Sequence, residues 1–230
     1  MGLAISIFVP EGVVFVSDGL AEIRNSEKDN GFLQKKQRSI FSYYGKYLIC
    51  AQGQGYLEGL PVAYYVEKVF CRLKGSSFSS TKEFTLRFQK EMSICTKQAD
   101  ELMCYIAGID IDERCNISPV VFLLEKGEIN YINRGNNNEI VYNYHAIGRS
   151  FWINKMLLPT SYHPSTNDSI DFDSLEIDFS KYSIDEAIEF GKCLLVVSNK
   201  MDAFAQLKQM VGENISIGYI TLANLIKIKD

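Results

Sequence analysis

Gly12-Val13-Val14-Phe15-Val16-Ser17-Asp18 is the stretch on which the reading of this 230-residue chain turns. Four consecutive apolar residues, three of them β-branched, sit between a glycine and a serine–aspartate pair. A short run of this kind, bounded by turn residues, reads as a buried strand. Pro10-Glu11-Gly12 before it supplies a turn, and Leu3 to Val9 supplies a partner strand. The chain therefore opens on a hairpin, and its first residues are expected inside a sheet.

Working outward, residues 22–39 are polar and read as an excursion. Ile40 to Tyr44 and Tyr47 to Ala51 form a second hairpin about Gly45-Lys46. Gln52-Gly53-Gln54-Gly55 then opens a helix on which Leu57, Leu60, Ala63, Tyr64, Val66, Val69 and Phe70 recur at helical spacing. Ser80 with Glu83, and later Ser183 with Glu186, have the spacing of a capping box, which starts two further helices. Phe84, Phe88, Met92, Cys95 and Ala99 mark the apolar face of the first, and Ile184, Ala187, Ile188 and Leu195 that of the second. Strands are expected at 102–109, 120–124, 129–132, 139–147, 215–222 and 225–228, with a helix from Gly148 to Leu158 and a long acidic connection over 159–182. The order is strands, two helices, strands, two helices, strand. An α+β fold that packs two antiparallel sheets between helix pairs satisfies it, as a single domain over residues 1–230.

Composition narrows the function. The chain is 47% hydrophobic and 23% charged, with a net charge of −4. Nucleic-acid binding needs clustered positive charge, so that class is not expected. No apolar stretch reaches the ~18 residues that span a bilayer, and there is no secretory leader pattern. Met1-Gly2-Leu3-Ala4-Ile5-Ser6 fits the loose myristoylation pattern, but the same residues run straight into a strand. Six cysteines, no two spaced CxxC, and only two histidines argue against zinc; they read as reduced thiols of a cytoplasmic protein. No cofactor or metal is expected. Asp168, Asp171, Asp173, Glu176 and Asp178 resemble a calcium ligand set but lack the glycine and terminal glutamate of that spacing. Lys35-Lys36-Gln37-Arg38 reads as a solvated basic run, and Gly53-Gln54-Gly55 lacks the lysine of a phosphate loop. His145 is expected to pack rather than ligate. Cys50 is the one candidate for a substitute nucleophile, and its place mid-strand predicts an inert thiol.

Five segments, in order, resemble the proteasome β-type subunits and their bacterial relatives, which have the N-terminal-nucleophile hydrolase fold. Gly12–Asp18 is similar to the family's GVVxAAD strand, and Ile49-Cys50-Ala51-Gln52-Gly53-Gln54-Gly55 to the opening of its first helix. His145-Ala146-Ile147-Gly148-Arg149-Ser150 matches AIGSGS, Ser183-Ile184-Asp185-Glu186-Ala187 matches its S-x-E-E-A helix start, and Met201-Asp202-Ala203-Phe204-Ala205 matches RDAxS. The resemblance implies a four-layer αββα sandwich. In that family a threonine, serine or cysteine at the mature chain start attacks the amide, helped by a lysine, two aspartates and a serine.

Carried over residue by residue, the resemblance places the nucleophile on Gly2, which has no side chain. The lysine position falls on Arg38 or Ser39, depending on a one-residue gap. The glycine beside the oxyanion site falls on Gln52, with Gly53 one step away. Arg149 and Ala205 replace two serines, while Asp18 and Asp202 remain. The resemblance thus implies a subunit that has lost threonine-peptidase activity and keeps an assembly or binding role. Its expected partners are copies of itself or ring partner subunits, with a peptide or protein ligand. The alternative is an active amidohydrolase or peptidase of the same type whose nucleophile is unrecognised or comes from a partner subunit.

Overall fold

A computed structural model describes residues 2–24, 32–53, 55–112, 115–148, 150–157, 160–162, 169–171, 177–205, 215–223 and 226–229. The first strands are β1 (Leu3–Val9), β2 (Gly12–Ser17), β3 (Leu20–Arg24), β4 (Phe32–Lys36), β5 (Ile40–Tyr43) and β6 (Tyr47–Gly53). Two short strands, β7 (Tyr56–Leu57) and β8 (Leu60–Pro61), lead into helices α1 (Val62–Arg72) and α2 (Thr81–Cys95). Strands β9 (Leu102–Ile111), β10 (Ile117–Glu125), β11 (Glu128–Tyr131) and β12 (Tyr144–Gly148) precede helix α3 (Phe151–Leu157). After β13 (Thr160–Tyr162) and β14 (Ser169–Asp171) come helix α4 (Ile184–Phe204), β15 (Ser216–Thr221) and β16 (Ile226–Lys229).

Two five-stranded sheets dominate, in the orders β12-β1-β2-β15-β16 and β11-β10-β9-β6-β5. Every pairing within them is antiparallel. Side chains from one face of each sheet share a core of Ala4, Phe8, Val13, Phe15, Ile40, Leu48, Cys50, Tyr105, Ala107, Val121 and Ile220. Phe15 and Tyr105 stack across it at 5.5 Å. Alternation explains the division: Ile49 and Ile106 point the other way, into a second core with α1 and α2. Leu3, Ile5, Ile7, Val14 and Val16 likewise point into a third core with α4. The close approach of α4 needs Gly191, because a Cβ there would lie 2.6 Å from Val16 Cγ2.

The fold class read from the sequence is corrected. The described residues do not form the expected four-layer αββα sandwich of the N-terminal-nucleophile hydrolases; they are mostly antiparallel strand, with four α-helices. The helices cover the sheets only in part. Helix α3 has seven residues and packs chiefly on α4, and the edge strands β11 and β16 keep exposed positions. Three two-stranded ribbons, β3-β4, β7-β8 and β13-β14, stand beside the main sheets.

Local chemistry explains where the elements differ from expectation. Leu57 and Leu60 have helical spacing, yet they face each other in the β7–β8 ribbon, and the helix waits until Pro61 has passed. Proline pre-sets the backbone for a helix start but cannot sit deep inside one. The strand expected over 139–147 is confined to Tyr144–Gly148. The polar excursion over 22–39 contains the β3–β4 ribbon. Ser183 and Glu186 close a full capping box. Ser80 caps only half: Glu83 N–H donates to Ser80 Oγ, but the Glu83 carboxylate accepts from Ser79 instead. No helix among the described residues is long and apolar enough to cross a membrane.

Candidate functional site

The start of β1 is pinned at both edges. Leu3 pairs with Gly148 on β12, and Ala4 pairs with Ser17 on β2. Leu3 N–H also donates to Asp18 Oδ2 at 3.0 Å, and Asp18 N–H donates back to Leu3 O at 3.2 Å. Asp18 is fully buried, so its carboxylate acts on the backbone of β1 rather than on solvent. An anionic acceptor on a buried N–H is a stronger bond than a neutral one, of about 1.5–3 kcal/mol.

Gly2 lies buried just ahead of this bond. Its carbonyl oxygen would be 2.1 Å from a Cβ on Gly148, and Gln52 Cγ would be 3.6 Å from the same point. Gly148 also has φ +86, a left-handed conformation that favours glycine. The backbone at Gly2, the Asp18 carboxylate, Gly148 and the Gln52 side chain therefore converge on one spot. Gln52, paired with Met103, is 5% exposed, and its amide nitrogen has no hydrogen-bond partner among the described residues. Ser39 is similarly buried, its hydroxyl without a partner among the described residues, while its carbonyl accepts from Ala51 N–H. Gly53 ends β6 opposite Leu102.

The remaining predicted positions behave differently. Arg38 turns outward: its Nη1 meets Glu67 Oε1 at 3.1 Å, its Nε donates to Ile40 O, and its guanidinium lies 4.9 Å from the Phe41 ring centroid. Asp202, nearly fully buried on α4, accepts the Trp152 indole N–H at 2.8 Å. Ala205 is exposed at the C-terminal cap of α4. Arg149 lies outside the described residues.

Cys50 sits in the core shared by the sheets. Burial pushes its thiol far above the usual cysteine range, and the neighbouring Cys104 and Asp18 add to this against the Ser17 hydroxyl. Cys104 is pushed up to about 12 by burial. Neither supplies a thiolate near neutral pH. His145 also packs, with Nδ1 2.8 Å from the Tyr105 hydroxyl, which donates to His145 O. Of the acidic set near 168–178, Asp168, Asp173 and Glu176 fall outside the described residues. Asp178 accepts from Ser180 and pairs with Lys181. Among the described residues no group of three or more metal-ligating side chains converges.

Sequence reasoning did not single out Leu3, whose backbone N–H engages Asp18, or Trp152, which engages Asp202. The first is a main-chain group with no residue signature. The second could have been noticed as the single tryptophan of the chain. Comparison with known proteins adds no relative: no protein-family model and no curated protein matches the chain.

Proposed function

We propose that this protein is an assembly or binding subunit without catalytic activity, the role that the resemblance of its segments to the proteasome β-type subunits implies. The observation that carries the reading is the Leu3 N–H to Asp18 Oδ2 bond, with Gly2 immediately before it. The position matched to the nucleophile offers no side chain. The matched aspartate is occupied by backbone, and the nearby Cys50 thiol is held protonated by burial. Of Arg38 and Ser39, one of which falls at the lysine position, Arg38 is engaged by Glu67 and Ser39 is no base. An amide substrate bound here would meet no activated nucleophile and no base among the described residues.

Binding is favoured by the donors left over. Buried polar groups are nearly always hydrogen-bonded, and the Gln52 amide nitrogen and Ser39 hydroxyl, without a partner among the described residues, are donors that a bound acceptor group would satisfy. Assembly is favoured by the outer surface of α1 and α2, where Tyr64, Leu86 and Ile94 are each about half exposed. Large apolar side chains left in solvent are the ones that a partner surface would cover.

The test is intact-mass measurement after exposure to an electrophile aimed at N-terminal Thr, Ser or Cys nucleophiles, alongside hydrolysis of a peptide library. The expected result is an unmodified mass and no cleavage. A stoichiometric single adduct, or turnover abolished by that electrophile, would establish the alternative of an active amidohydrolase.

A further inference from the structure

Away from this site, the turn joining β5 to β6 faces the end of α1. Between them lies an open cavity of about 250 Å³ lined by Ser42, Tyr43, Tyr44, Phe70, Cys71 and Lys74. Its walls are aromatic. Tyr43 and Tyr44 meet edge-on with ring centroids 4.7 Å apart, and Phe70 lies 5.1 Å from Tyr43. The Tyr43 hydroxyl donates to Leu73 O at 2.6 Å, which fixes that ring as a wall.

Tyr44 is the unusual member. It has φ 48, a left-handed conformation that is rare for a bulky residue, and its side chain is 64% exposed. The turn thus stands a tyrosine ring beside the cavity rather than burying it. A concave site with apolar walls and few polar groups is the ordinary form of a small-molecule site. Among the described residues that line the cavity, Lys74 is the one charged side chain and none is acidic. A flat ring packed against the aromatic walls, carrying a negative charge toward the Lys74 ammonium, satisfies both features. The volume lies below the ~300 Å³ at which drug-sized ligands begin, which sets the size at one or two rings.

We propose that this cavity binds a small aromatic carboxylate, with Tyr44 and Phe70 holding the ring and Lys74 the carboxylate.

Cys71 provides the readout, because it is exposed and lines the cavity. The full chain is alkylated with iodoacetamide, and the rate at each cysteine is followed by mass spectrometry. Phenylacetate is the probe, phenylethanol the neutral aromatic control and acetate the aliphatic control. Cys115 and Cys193, also exposed, report any general effect on reactivity. Phenylacetate at twice its dissociation constant should slow Cys71 about threefold, by simple one-site occupancy, and leave Cys115 and Cys193 unchanged. Lys74→Gln should weaken phenylacetate roughly two- to fivefold, to the level of phenylethanol, as expected for an exposed ion pair. Unchanged Cys71 alkylation with phenylacetate would overturn the proposal. So would equal protection by phenylethanol or acetate, or undiminished protection in Lys74→Gln.

Discussion

Gly148→Ala tests whether the start of β1 is wedged into the site as described. Two costs are expected, and a second variant separates them. At φ +86 an alanine meets the left-handed penalty, about 1–2 kcal/mol. Its Cβ would also lie 2.1 Å from Gly2 O and 3.2 Å from Gly2 C, so backbone must move. Any shift that relieves the clash opens the Leu3–Gly148 pair and draws Leu3 N–H off Asp18. Losing that charge-assisted bond costs about 1.5–3 kcal/mol more. Gly45→Ala supplies the reference: φ there is +65, and nothing lies within 4 Å of its Cβ. Urea denaturation with linear extrapolation should therefore place Gly148→Ala about 2–3 kcal/mol below Gly45→Ala, or roughly 4–12 °C lower in Tm. Hydrogen exchange at the Leu3 amide should accelerate in the first variant only. If the two variants agree within about 0.5 kcal/mol and Leu3 stays protected, the wedge is refuted.

Other expectations follow from the same coordinates. Cys50 and Cys104 should resist alkylation in the native state while Cys71, Cys115 and Cys193 react; per-site mass spectrometry under native conditions checks this, and early labelling of Cys50 would contradict its burial. Ser183→Ala removes a complete capping box and Ser80→Ala half of one, so the first should lower stability by about 1–2 kcal/mol and the second by less, measured by urea titration. Burial lowers the pKa of His145 from 6.5, so the unfolded chain takes up this proton first. The stability it contributes is complete above pH ~6.5 and is lost as pH falls toward the lower folded value. His145→Gln should flatten stability against pH in that window relative to wild type, and an unchanged slope would exclude the assignment.

What the sequence made legible is what local pattern controls. The β1–β2 hairpin, the β9–β10–β11 strands and α4 with its Ser183–Glu186 box all follow from apolar spacing and turn chemistry. Lys126 and Gly127, with φ 51 and +77, form the two-residue turn between β10 and β11. The failures are where two patterns compete. Leu57 and Leu60 are three residues apart, which suits a helix face as well as a tight ribbon, and only the tertiary setting chooses. The layer arrangement failed for a related reason: element order does not say how far a seven-residue α3 can extend across a sheet. At the site, the convergence of residue 2 with Asp18 and Gln52 was accessible through the resemblance. Two things were not. Arg38 turns away because Glu67, on α1, draws it, and such a non-local charge pair leaves no trace in linear spacing. The Asp18 partner is a main-chain N–H, which every residue but proline carries.

Native mass spectrometry separates the proposed subunit, without chemistry of its own, from a protein that works as a single chain. The spectrum should show a discrete multiple of the 26.1 kDa chain, alone or with a partner subunit, that is lost when Leu86 and Ile94 on α2 are replaced by Glu. A single 26.1 kDa species that persists at high concentration, from the protein's own cells as well as from purified chain, would contradict it.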